Sequence, residues 1–116
     1  MAAKKKIYTV IFSISAEQEL LQIEQYISEN QSEIRAVKVL TSIFEKIWSI
    51  AEHPFSFPVL ISSGNKSEET LRCTLVHSAY KIIYKIHDEH IEVLKIFDGS
   101  RDPKLLNKLF DKKNDD

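Results

Sequence analysis

Apolar residues recur along this chain with two different periods. Lys6 to Ser13 (KIYTVIFS) is rich in β-branched and aromatic residues and predicts a first strand. Ser15 then stands where a helix N-cap would, with Gln18 three residues later in a capping-box arrangement. Ala16, Leu20, Ile23 and Ile27 follow at helical spacing, and Asn30 to Ser32 is a polar break. A second helical stripe runs through Ala36, Leu40, Ile43, Ile47 and Ile50, widened by Val37, Phe44 and Ala51. His53-Pro54 stops it, because proline lacks a donor and restricts the residue before it. Two amphipathic helices so close in sequence form an antiparallel hairpin, and each stripe needs a sheet to lie on.

The second half reads as that sheet. Pro54 and Pro58 keep residues 55–58 irregular, with Val59 to Ile61 eligible to open a short strand. Ser62 to Glu69 is a polar turn. Strands are expected at Thr70–His77, Ala79–His87 and Ile91–Phe97, the last two joined by a tight link at Asp88 to His90. Asp102 caps a final short helical run with Pro103 at its first position and Leu105, Leu106, Leu109 and Phe110 as its apolar side. The expected fold is α+β: an antiparallel-dominated small sheet under an N-terminal helical hairpin, in the order β-α-α-β-β-β plus a short C-terminal helix. Residues 1–116 are expected to form a single domain with its core at roughly 7–106, followed by a charged tail.

Alternation assigns the strand faces. Leu71, Cys73 and Leu75 oppose Arg72, Thr74 and Val76; Tyr80, Ile82, Tyr84 and Ile86 oppose Lys81, Ile83 and Lys85; Leu94 and Ile96 oppose Val93, Lys95 and Phe97. With the apolar sets beneath the hairpin, Arg72, Lys81, Lys85 and Lys95 share the open face, and Arg101 lies just past its edge. Lysines are also what any solvated strand face carries. Arg72 stands out because the chain has only three arginines, Arg35, Arg72 and Arg101.

Composition narrows the function classes. The 116 residues are 43% hydrophobic and 28% charged, with a formal net charge of -1 from 16 basic and 17 acidic groups. That balance is poorly suited to coating nucleic acid but compatible with a local basic patch. A lone cysteine, Cys73, excludes an intrachain disulfide and a thiolate zinc site, and points to the cytoplasm. Lys4 to Lys6 are expected to be a solvated leader, with contact to polyanions as the alternative, and no apolar run is long enough to cross a membrane. His87 and His90 flank Asp88 and Glu89, too slight a set for a metal. No metal and no cofactor are expected.

The order of elements and the wording of the strands together resemble toxins of the RelE/ParE superfamily. The carrying segments are the opening KIYTVIFSISAEQEL with IEQYI, the second helix ending at Ile50 before His53-Pro54, the arginine and tyrosine strands LRCTLVHSAYKIIYKI, and the closing IEVLKIFDGSRDP. The resemblance spans roughly Ile7 to Leu106, and no single motif in it is specific. It implies the toxin component of a type II toxin–antitoxin system, neutralised by a cognate antitoxin that docks on exposed apolar surface such as the C-terminal run or the Val93/Phe97 face. ParE-like members poison DNA gyrase without being enzymes; RelE-like members are ribosome-dependent mRNA endonucleases. A third possibility is a family member that binds antitoxin without being toxic.

For RNA cleavage the resemblance assigns phosphate contacts to Arg72 and Arg101, with Lys81 adding charge and His77 as the one candidate proton carrier. Lys85 and Lys95 join Arg72, Lys81 and Arg101 as target-binding candidates. The acid–base set is incomplete. Asp98 stands where many relatives carry histidine, and no tyrosine follows in the C-terminal segment. A gyrase-directed toxin needs no such set, so the ParE-like reading is favoured.

Overall fold

The computed structural model describes residues 6–61, 70–77 and 79–99. Elements run in the order β1 (Thr9–Phe12), α1 (Ile14–Asn30), α2 (Glu33–Glu52), a 3-10 turn (Pro54–Ser56), β2 (Val59–Ile61), β3 (Leu71–Val76), β4 (Tyr80–Ile86) and β5 (His90–Asp98). They build the expected α+β fold, a helical hairpin over one five-stranded sheet of order β1-β5-β4-β3-β2. β2, β3, β4 and β5 pair antiparallel to their neighbours, whereas β1 pairs with β5 in parallel. The expected C-terminal helix, with Arg101 before it, lies outside the described residues.

Both helices start on serine caps. Ser13, not Ser15, caps α1: its Oγ accepts from the Ala16 N–H at 3.0 Å. Ser13 is chosen because it also closes β1, with its N–H donating to Val93 O and its Oγ donating to Leu94 O, each at 2.9 Å. Ser32 caps α2 by accepting from the Arg35 N–H at 3.0 Å. The hairpin buries Ala16, Ile27, Ala36, Val39, Ile43, Ile47 and Ile50 against Val76, Ile82, Tyr84, Ile91, Val93 and Ile96. Val37 and Phe44, expected to widen the buried stripe, are instead exposed.

Two strand-face expectations are corrected. In β3 the residues turned to the helices are Thr74 and Val76, while Leu71, Cys73 and Leu75 face away. The register settles this, since Thr74 pairs with Ile82 and Leu75 with Lys81. Periodicity alone could not choose, because both faces of β3 carry apolar side chains. In β5 the register against β4 slips by one, Ile83 facing Lys95 and Tyr84 facing Val93. Leu94 is the extra residue of this bulge, so Val93 and Ile96 both turn into the core. Val93 is therefore fully buried and shares no outer surface with Phe97.

The irregular segment after α2 leaves carbonyls that β3 and β4 satisfy. The Tyr84 hydroxyl donates to Pro54 O, the Arg72 guanidinium to Phe55 O and Phe57 O, and the Cys73 N–H to Pro58 O. Burial pushes the Tyr84 phenol up to about 12, against the opposing pull of Arg72. A raised value stabilises the fold fully below the ordinary tyrosine pKa of 10.0 and loses that contribution as pH climbs toward about 12. Tyr84→Phe is accordingly expected to cost about 1–2 kcal/mol at pH 8, and to lose less further stability than the native chain between pH 10 and 12. Denaturant titrations across that range check it; parallel losses in both proteins would contradict the assignment.

Candidate functional site

The candidate site residues do not form one patch. Lys81 and Lys85 lie on the face away from the helices, where Lys81 pairs across strands with Leu75 and Phe97, and Lys85 with Glu92. Arg72 instead pairs with Tyr84, on the helix-covered face, so the sheet separates its guanidinium from Lys81. It donates at 2.7 Å to Phe57 O and at 3.3 Å to Phe55 O, with its guanidinium 5.4 Å from the centroid of the Phe55 ring. Both bonds come from one nitrogen, Nη1, so Arg72 serves the backbone here without the two-nitrogen fork that suits phosphate.

Lys95 is also committed elsewhere. β1 pairs with β5 only as far as Val93, which leaves the rest of β5 without a strand on that side. The start of α1 fills the place. Glu19 Oε1 accepts from the Ile96 N–H at 2.8 Å, and Lys95 Nζ reaches Glu19 Oε2 at 3.2 Å and Ser15 Oγ at 2.7 Å. The expected open-face quartet thus reduces to Lys81 and Lys85. Neither Glu19 nor Ser13 was legible as a clamp, since each bonds a residue some 80 positions away.

At one end of the sheet, His77 occupies the turn between β3 and β4 with a left-handed φ of 56°, an uncommon conformation for a side-chain-bearing residue. Ala79 N–H closes that turn on Val76 O, and Gly99 N–H donates to Ala79 O at 2.8 Å. The exposed His77 therefore sits at the end of the sheet from which the chain leads on to Arg101. Lys81 is there too, its aliphatic chain against Gly99, where an added Cβ would come within 2.8 Å of Lys81 Cε. Burial pushes the neighbouring Cys73 thiol up, against the opposing charge of Lys81, so it behaves as a small hydrophobe.

At the other end an open groove of about 900 Å³ is lined by Phe55, Arg72, Lys85, His87, Asp88, Glu89 and His90 among others. Its cations and carboxylates are mixed. The rings of His87 and His90 stack at 4.3 Å, and His87 Nε2 meets Glu92 Oε1 at 3.1 Å. Among the described residues no group of three His, Cys, Asp or Glu is placed to hold a metal ion, and no helix is long and apolar enough to cross a membrane.

A helical hairpin over a small sheet is the fold expected from the resemblance to RelE/ParE toxins. The family of ParE toxins of type II toxin–antitoxin systems (parDE) matches residues 10–103, most of the chain. The protein belongs to that family and is a toxin of the RelE/ParE superfamily. Among solved structures, it is similar to a chain of the chromosomal ParDE toxin–antitoxin system of P. aeruginosa, with 13% identity, a TM-score of 0.64, and coverage of 79% of this chain and 96% of that one. It is also similar to a chain of the RelBE2 toxin–antitoxin complex of Mycobacterium tuberculosis, with 18% identity, a TM-score of 0.56, and coverage of 84% and 97%. Identities this low establish a shared fold. No curated protein matches the chain.

Proposed function

We propose that this protein acts on DNA gyrase, blocking supercoiling by binding, and that a cognate antitoxin neutralises it. The observation carrying this reading is the dispersal of the cations. Cleaving RNA through its 2′-hydroxyl requires a base, an acid and positive charge gathered on one phosphate. Here Arg72 holds backbone carbonyls on one face of the sheet, Lys81 lies on the other, and Lys95 is tied to Glu19. Asp98, where a ribonuclease would benefit from a proton donor, adds negative charge at the end of β5. A binding toxin is unaffected by such dispersal. Its grip on the target is assigned to Arg101 with Lys81 and Lys85, and the antitoxin is assigned as the protein partner because the family is defined by toxin–antitoxin pairs.

The test is DNA supercoiling by purified gyrase titrated with the purified full-length toxin. Dose-dependent loss of supercoiling or trapped cleaved DNA is expected, with Arg101→Ala weakening it roughly tenfold or more, as for loss of a central interface arginine. No effect from folded toxin in large excess over the gyrase sinks this reading. The runner-up is ribosome-dependent mRNA cleavage, favoured by the placement of His77 and Lys81 at the end of the sheet that leads to Arg101. It would show as arrested translation abolished by His77→Ala. A chain that leaves growth unaffected when expressed without antitoxin is the non-toxic alternative.

A further inference from the structure

α2 carries two apolar stripes, and only one is covered. Its core stripe, centred on Ile43, is buried, yet Ile34, Val37, Phe44 and Trp48 on the same helix are 71, 64, 48 and 57% exposed. With Thr41 between them these residues recur at 3-4-3-4 spacing, the period of a helix–helix seam. At 100° per residue the seam is turned roughly 140° from the core stripe, toward the outer side of the helix. Phe44 is braced at one edge, its ring centroid 6.4 Å from that of Phe12 in a T-shaped contact. With ~200 Å² for a large side chain, the four residues expose on the order of 450 Å², enough to mark an interaction surface.

We propose that this seam pairs with the same seam of a second copy of the chain, the two α2 helices running antiparallel about a two-fold axis at Thr41. In that register Ile34 faces Trp48 and Val37 faces Phe44, smaller side chains against larger ones. Thr41 faces itself, which allows close approach on the axis. The charges at the seam's solvent edge agree. Lys38 and Glu45 flank it seven residues apart, both exposed, and antiparallel pairing sets each Lys38 opposite the other copy's Glu45. A parallel pairing would stack Trp48 on Trp48 and leave Glu45 with no cation across from it. Such self-complementarity is what a two-fold interface requires. Two seams together bury about 900 Å² of apolar surface, and their polar flanks bring the contact near the ~1,200 Å² of a small specific interface.

The test is sedimentation equilibrium of the purified full-length toxin from micromolar to hundreds of micromolar, with fluorescence of Trp48, the sole tryptophan. A monomer–dimer equilibrium is expected, with Trp48 emission shifting to the blue as the dimer forms. Lys38→Glu or Glu45→Lys alone is expected to weaken it roughly tenfold, since each change occurs twice across the axis. The double variant Lys38→Glu/Glu45→Lys is expected to return within about twofold of the native chain, because the pairs are restored with signs exchanged. Both sites are exposed, and circular dichroism verifies that the three variants fold. A chain that stays monomeric throughout overturns the proposal. So does a dimer indifferent to the single reversals, or a Trp48 shift that appears only when another protein supplies the opposing helix.

Discussion

Replacing Glu19 with alanine is expected to destabilise the protein by about 3 kcal/mol, read as a lower denaturant midpoint at unchanged slope. One carboxylate performs two tasks there: Oε1 accepts the Ile96 N–H at 2.8 Å and Oε2 faces Lys95 Nζ at 3.2 Å. Alanine leaves a strand-edge N–H unpaired and takes the counter-charge from an ammonium that then keeps only Ser15 Oγ, and part-buried groups deprived this way cost about 1–3 kcal/mol each. Glu19→Gln keeps an acceptor for Ile96 and should cost about 1 kcal/mol. Adding Lys95→Met to Glu19→Ala should recover part of the loss, because the part-buried charge left without its carboxylate is then removed. A Glu19→Ala midpoint indistinguishable from the native one would show that the α1–β5 junction is held by apolar packing alone.

Arg72→Ala is expected to cost about 2–3 kcal/mol, from charge-assisted bonds to Phe55 O and Phe57 O together with the Phe55 ring contact. Arg72→Lys should rescue only part of the loss, since an ammonium can offer two donors from one nitrogen, as Nη1 does, but not the flat guanidinium over the Phe55 ring. The readout that separates fold from function is target inhibition per folded molecule. If Arg72 holds the segment after α2, folded Arg72→Ala inhibits as the native chain does, and only its melting temperature falls. Native-like stability with lost inhibition would instead make Arg72 a target contact.

The two helices were legible because their stripes repeat at helical spacing and serine and proline punctuate their ends. β4 was equally plain, with Tyr80, Ile82 and Tyr84 alternating against Lys81 and Lys85. β3 was not, because Leu71, Cys73 and Leu75 are no less apolar than Thr74 and Val76, and only pairing with Ile82 decides which set meets the helices. In β5 one extra residue, Leu94, breaks the alternation on which any face assignment rests. The expected basic patch fails for the reason given for β3: Arg72 shares its face with Thr74 and Val76, and that face, not the opposite one, meets the helices. The exposed seam on α2 does carry a signal, since Val37 and Phe44 stand out as surplus apolar positions, but periodicity cannot distinguish a widened core stripe from a second stripe.

Local chemistry along the chain was enough to determine a helical hairpin and a following set of strands. Those properties depend on residues three, four or two positions apart, which periodicity records directly. Tertiary structure alone decided that β1 joins the sheet in parallel beside β5, that Glu19 and Ser13 close the edge of β5, and that Arg72 and Tyr84 hold the carbonyls after α2. Each of these joins residues 15 to 81 positions apart, a distance over which no local pattern carries information. Which cations share a surface is a property of that long-range pairing, and so it became visible only in the folded chain.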